Sequence, residues 1–383
     1  MSFIVEADEE RRLQARSSTP RLFELDALRG VAAVIVAGTH YLRCFPPFFQ
    51  GSSAALDSIG FAAVCMFFLL SGFVLSLPYW AGRQTSYGRF VVRRFIRIYI
   101  PFLGALGLSI AGMELCRRMG SPSLSPWFQA IWHTPCTWPR LLHWLLIPGM
   151  PEVNVAFWTL RNEIVMSALM PLICFVMRRC RAEIWIGLAW AALIVFQGPL
   201  DRLHSPIFEL WLKTGLLFPA GALLAQKQKP LRRWAEEMGA PARAAIFLGS
   251  LLLFAFPLFL GHGRGRVVLF LISRSSTMLL LPAAGVLGSV LFSARLKRVL
   301  RHSVMEYLGR ISYSLYLVHA IVIAAMLRGL YGRMNLMLLT ALIFAATFAL
   351  AHVYCVWVEE PSIALGRRLT QRRETKREMV VAG

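Results

Sequence analysis

The sequence predicts an all-α protein, a polytopic transmembrane helical bundle of about ten spans with both termini in the cytoplasm. Three observations lead there. Of 383 residues, 57% are hydrophobic and only 16% charged, against about 25% charged in an ordinary soluble domain. Uncharged apolar runs long enough to cross a bilayer recur along the whole chain. The basic residues gather in short clusters between those runs. Threaded from a cytoplasmic N-terminus, the runs leave 28 Lys and Arg on the inner side and 9 on the outer, which is the positive-inside asymmetry. Two termini on one side require an even number of spans.

The elements follow in order. Residues 1–25 form a polar cytoplasmic segment with Glu6, Asp8, Glu9, Glu10, Arg11 and Arg12. They hold no apolar signal core, so no cleaved signal peptide is expected. Spans are predicted near 27–44, 57–80, 95–116, 155–177, 183–200, 206–226, 243–261, 267–292, 310–329 and 334–357. Glu359, Glu360 and Pro361 are expected to stop the last one. One transmembrane domain therefore covers 26–361, and 362–383 reads as a basic cytoplasmic tail. The longest outer loop, 117–154, carries Trp127, Trp132, Trp138 and Trp144. It suits a segment folded against the membrane interface or re-entering it.

A net charge of +21 raises the question of nucleic acid. Because the basic residues are interleaved with spans, topology and contact with membrane lipids explain them, and no nucleic-acid partner is expected. The seven cysteines include no C-x-x-C pair and no metal-ligand spacing. A disulfide among Cys44, Cys116 and Cys136 is one reading, and small buried packing residues are the other.

Ionisable residues inside spans are expensive and usually have a partner or a task. Arg29 and His40 lie 11 positions apart, which returns to within about 20° of the same helix face at an axial distance of about 16 Å. His40 is a candidate general base or nucleophile, the alternative being a structural histidine bonded across helices. Glu163, one turn into the fourth span, is expected to orient His40 or to pair with Arg161. Arg93, Arg94 and Arg97 precede the third span, where guanidinium groups suit phosphates or serve as topogenic charge against anionic headgroups. Ser312, Tyr316 and His319 fall at i, i+4 and i+7 and form one polar stripe. That stripe either lines a pocket or joins helices. The G-x-S-x-G elbow, the P-loop and G-x-G-x-x-G are all missing from the sequence.

Six segments carry a family resemblance, in order, from residue 25 to 361. They are Leu25 to Gly30 leading to His40, Phe67 to Ser76, Arg93 to Pro101, Trp158 to Glu163, Ser312 to His319, and Glu359 to Pro361. Together they resemble the acyltransferase-3 family of integral membrane acyltransferases. Ala27 and Thr159 stand where that family usually has glycine and serine.

The resemblance implies transfer of an acyl group, often acetyl, from cytoplasmic acyl-CoA to a hydroxyl of an extracytoplasmic or lipid-linked saccharide. No permanently bound cofactor is expected, and the setting is a bacterial inner membrane. The resemblance makes His40, Glu163 and Arg29 the catalytic candidates and Arg93, Arg94 and Arg97 part of a donor site. It places Ser71, Trp158, Ser312, Tyr316 and His319 at the substrate pocket. The rival reading is a saccharide or lipid transporter using the same polar stripes as a path. Such a protein needs no acyl donor and would move its substrate unmodified.

Overall fold

A computed structural model describes residues 22–46, 53–82, 86–119, 123–146, 151–195, 214–259 and 276–381. Every regular element among them is helical. Helix α1 is Phe23–Arg43, α2 Ser53–Trp80, α3 Tyr87–Cys116, α4 Pro126–Ala130, α5 Trp138–Leu146 and α6 Trp158–Arg179. Then come α7 Ala182–Val195, α8 Leu217–Gln226, α9 Gln228–Glu237, α10 Ala240–Phe259, α11 Ser276–Phe292 and α12 Ala294–Leu300. The chain ends in α13 Ser303–Leu330, α14 Leu336–Tyr354, a π turn at Cys355–Glu359, and α15 Glu360–Val381.

Among the described residues six helices are long and apolar enough to cross a membrane, or up to eight spans if each of two bent pairs counts as one. The described residues thus bear out six to eight of the ten spans expected. Of the expected span 183–200 the described part is the 14-residue α7, and of 206–226 it is the 10-residue α8. Residues 196–213 and 260–275, on which parts of four expected spans fall, lie outside the described residues. Leucines and aromatics on the outer faces of α6, α10 and α14, such as Leu172, Phe175, Leu252 and Leu338, are exposed. A bilayer covers such faces, because each helix already satisfies its own backbone polar groups.

Helix α13 is the centre of the bundle. Its buried residues run without a break from Ser314 to Ala324, whereas most other spans bury only one side. Two glycine contacts bring neighbours against it and against each other. A Cβ on Gly30 would stand 2.5 Å from the carbonyl carbon of Leu308, and one on Gly309 would stand 2.6 Å from that of Asp26. Helices α1 and α13 therefore touch backbone to backbone. Gly72 of α2 and Gly221 of α8 meet the backbone of Phe218 and Leu69 in the same way. Small residues at such crossings give membrane helices close van der Waals packing in the absence of a hydrophobic drive.

The last span does not stop at Pro361. The N–H of Glu360 reaches the carbonyl of Cys355, which widens the turn before the proline. A π turn breaks the i to i−4 ladder where a proline ring would otherwise clash. The helix continues as α15 to Val381. Its first turns pack on α3, with Gly366 3.5 Å from the Cα of Arg93 as measured from an added Cβ.

The outer loop folds inward. Ser125 caps α4 by accepting from the N–H of Phe128 at 3.2 Å and donates to the carbonyl of Arg43 at 2.6 Å. The indole of Trp132 donates to the carbonyl of Val153 at 2.8 Å. Trp132 and Trp144 are buried, while Trp138 stays exposed. All seven cysteines are free thiols, so Cys44, Cys116 and Cys136 form no disulfide.

Candidate active site

The glycine crossings set the site. Arg29 precedes Gly30 and Ser71 precedes Gly72, so both residues sit where backbones are closest. Between α1, α2, α3, α6, α13 and α15 these crossings leave a cavity of about 600 Å³. Its mouth carries Arg97, Arg310, Glu360 and Arg367, and its inner wall holds Ser71, Thr159, Ser312 and Tyr316. A basin of about 400 Å³ adjoins the mouth and is lined by Arg89, Arg93, Arg94, Arg97 and Arg367 without a carboxylate.

Inside the cavity the charges are arranged in pairs. Arg29 donates to Asp26 at 3.3 Å. Arg94 donates to Glu163 at 2.8 Å and to the hydroxyl of Ser167 at 3.2 Å. Arg310 donates to Glu360 at 2.8 Å. Glu359, 5% exposed, accepts from the Ser314 hydroxyl at 2.6 Å. Among the described residues Arg97 forms no hydrogen bond and no ion pair, and it faces both cavity and basin.

Deeper in the bundle, Tyr316 closes the cavity. Its hydroxyl is 3.0 Å from that of Thr159, its ring meets Phe67 edge-on, and its centroid is 6.0 Å from that of His319. His319 is fully buried. Its Nδ1 lies 3.2 Å from the carbonyl of Leu315, and its Nε2 lies 2.9 Å from Nδ1 of His40. A carbonyl only accepts, so Nδ1 of His319 carries that ring's proton. Nε2 of neutral His319 then accepts from Nδ1–H of His40. The lone pair of His40 is thereby placed on Nε2. The Trp127 ring of α4 lies 5.5 Å from that of His40, and the Arg43 guanidinium lies over the same indole at 4.7 Å.

Several sequence expectations need correction in their geometry. Glu163 contacts neither His40 nor Arg161 as foreseen. It lies at the arginine end of the cavity against Arg94, and His319 occupies the place beside His40. Arg29 lines the cavity, but His40 lies beyond Tyr316 and not on its wall. Trp158 is no part of that wall either. Its indole stacks on Phe61 at 6.2 Å and meets Phe68 edge-on at 6.5 Å. Ser71, Ser312 and Tyr316 do line the cavity. Arg93 lines the basin beside Arg94 and Arg97 and donates to Thr370 of α15 at 2.6 Å.

Glu359 and Arg367 are among the cavity residues that the sequence does not mark as site residues. Glu359 was read as a helix stop, although a carboxylate at the end of an apolar run is itself a signal. Arg367 falls in the basic tail of the sequence reading, and only the continuation of the helix past Pro361 brings it to the cavity.

The acyltransferase domain of the acyltransferase-3 family matches this chain over residues 22–356. The chain belongs to that family. It is an acyltransferase for groups other than aminoacyl groups and an integral membrane protein. Among characterised acyltransferases it is 29% identical to acyltransferase MdmB of Streptomyces mycarofaciens over 335 residues, covering 79% of each chain. No solved structure matches it. The six motif segments that suggested the acyltransferase-3 family all border the cavity or the histidine pair, except for Trp158.

Proposed function

We propose that the protein transfers an acyl group, acetyl in the simplest case, from cytoplasmic acyl-CoA to a hydroxyl of an extracytoplasmic or lipid-linked saccharide. The observation that carries this reading is the hydrogen-bonded line from Leu315 through His319 to His40, which leaves Nε2 of His40 as a base. The line stands just beyond the closed end of a cavity whose mouth is rich in arginine.

In this mechanism the donor's phosphates rest on the basin arginines and its thioester arm enters the cavity past Ser71 and Ser312. The acyl end passes Tyr316 to reach His40. Nε2 of His40 takes the proton of the acceptor hydroxyl, and the oxygen attacks the thioester carbonyl. The new C–O bond forms as the C–S bond breaks. The leaving thiolate takes the proton back from the imidazolium, so His40 returns to its starting state. Arg29 and the Arg94–Glu163 pair hold the donor arm in line, and His319 keeps the imidazole in the productive tautomer. The acceptor reaches His40 from the side covered by Trp127, whose indole offers an apolar face to a sugar ring.

The test replaces His40 by Ala in the full chain, with expression held equal. Release of thiol from acetyl-CoA by the protein in nanodiscs is measured, together with mass spectra of the envelope glycans. Loss of both acyl transfer and glycan acylation is expected. Normal turnover by H40A, or substrate movement without any acyl donor, defeats the reading.

A further inference from the structure

We propose that Arg367, on the helix beyond the last span, binds donor phosphate. With Arg94 and Arg97 it grips the diphosphate of a coenzyme A thioester, while Arg89 and Arg93 hold the more remote ribose phosphate. This rests on the donor reading above and adds to it a residue outside the stretch matched by the family domain, which ends at 356.

Arg367 borders both the basin and the cavity, as do Arg94 and Arg97. Arg89 and Arg93 border the basin alone. The three shared arginines therefore stand where a ligand passes from one space to the other. In a coenzyme A thioester the diphosphate joins the acyl-bearing arm to the nucleoside, and the third phosphate lies on the ribose beyond it. That order matches the order of the arginines.

The position of Arg367 is fixed from both sides. Gly366 packs against the backbone of Arg93, and Thr370 accepts from the Arg93 guanidinium at 2.6 Å. Its own side chain is exposed and makes no hydrogen bond among the described residues. Arg97 and Arg367 lie on the same basin wall with no carboxylate bonded to either among the described residues, and guanidinium groups bind phosphate oxygens two at a time. An anionic lipid headgroup has the same chemistry. It does not use the cavity that opens inward toward Tyr316, whereas a thioester arm does.

The experiment measures binding of coenzyme A and of 3′-dephospho-coenzyme A to the full-length protein in phosphatidylcholine nanodiscs. Arg367→Ala is expected to weaken both ligands by the same factor, about tenfold or more for a lost charged hydrogen bond. Arg367→Lys recovers part of that loss. Arg368→Ala, which removes the same charge from the next exposed position, stays within about twofold of wild type if only bulk charge is lost there. Arg89→Ala is expected to weaken coenzyme A and leave the dephospho form unchanged. The proposal is overturned if R367A matches R368A while wild type binds coenzyme A. It is also overturned if phosphatidylglycerol in the nanodisc displaces coenzyme A from wild type, because a headgroup then occupies the basin. Wild type that binds neither ligand defeats the donor reading itself, which is a different result from an inert Arg367.

Discussion

Replacing His319 by Phe keeps a planar ring in a fully buried site and removes both of its nitrogens. The Nδ1–H of His40 then loses its acceptor at 2.9 Å, and the carbonyl of Leu315 loses its donor at 3.2 Å. An orphaned buried polar group costs about 1–3 kcal/mol, so H319F is expected to melt lower than wild type but to fold. The catalytic effect is larger. Without His319 nothing holds the proton on Nδ1 of His40, and a general base of this kind contributes roughly 10²–10⁴ in rate. The turnover number of H319F is expected to fall by about 100-fold or more on that scale. KM for acyl-CoA should barely move, because the arginines at the mouth are untouched. His319→Gln retains an amide oxygen that can accept from His40 and should stay within about tenfold of wild type. The assay is thiol release from acetyl-CoA at saturating donor, with thermal melting of each variant recorded beside it. A folded H319F that keeps half of the wild-type rate, or one that loses donor affinity and not turnover, refutes the tautomer argument.

Two further predictions concern the walls of the site. Gly309→Val places a branched side chain against the backbone of Asp26, where even a Cβ has 2.6 Å, and should cost about 3 kcal/mol, the upper end of overpacking. Gly38→Ala, with open space around it, should be neutral; equal melting temperatures for the two variants would contradict the crossing. Glu163→Ala leaves the largely buried Arg94 without its 2.8 Å partner. The expected loss is about 2 kcal/mol, between an exposed and a fully buried pair. The double variant E163A/R94M should recover part of it. Additive losses in that cycle would show that the two residues do not act on each other.

Much of this arrangement is legible in the sequence, for a physical reason. Helical spacing alone puts Arg29 and His40 on one face of α1, and Ser312, Tyr316 and His319 on one face of α13. Intramembrane cost alone marks Glu163 as a residue in need of a partner. The identity of that partner is not a local property. Arg94 lies 69 positions away, and its place is set by how α3 leans on α6. Neither of the two partners that the sequence offers, His40 and Arg161, makes that contact. The same holds for Trp127. Its interfacial composition was plain, but only the hydrogen bonds of Ser125 and Trp132 turn the loop inward over His40. Pro361 misled most, since a proline after an apolar run usually ends a helix. The extra residue in the π turn made room for it.

The paired glycines also limit how the enzyme can be adapted. With α1 seated on α13 and α2 on α8 without intervening side chains, neither pair can spread to admit a bulkier cargo. On the donor path proposed above, the length of the transferred chain is governed instead by the side chains of Val64, Phe67 and Phe68, which line the cavity between those walls. Trimming Phe67 would enlarge the room next to Tyr316 while leaving every helix where it is, so a change in chain-length preference can arise there from a single substitution.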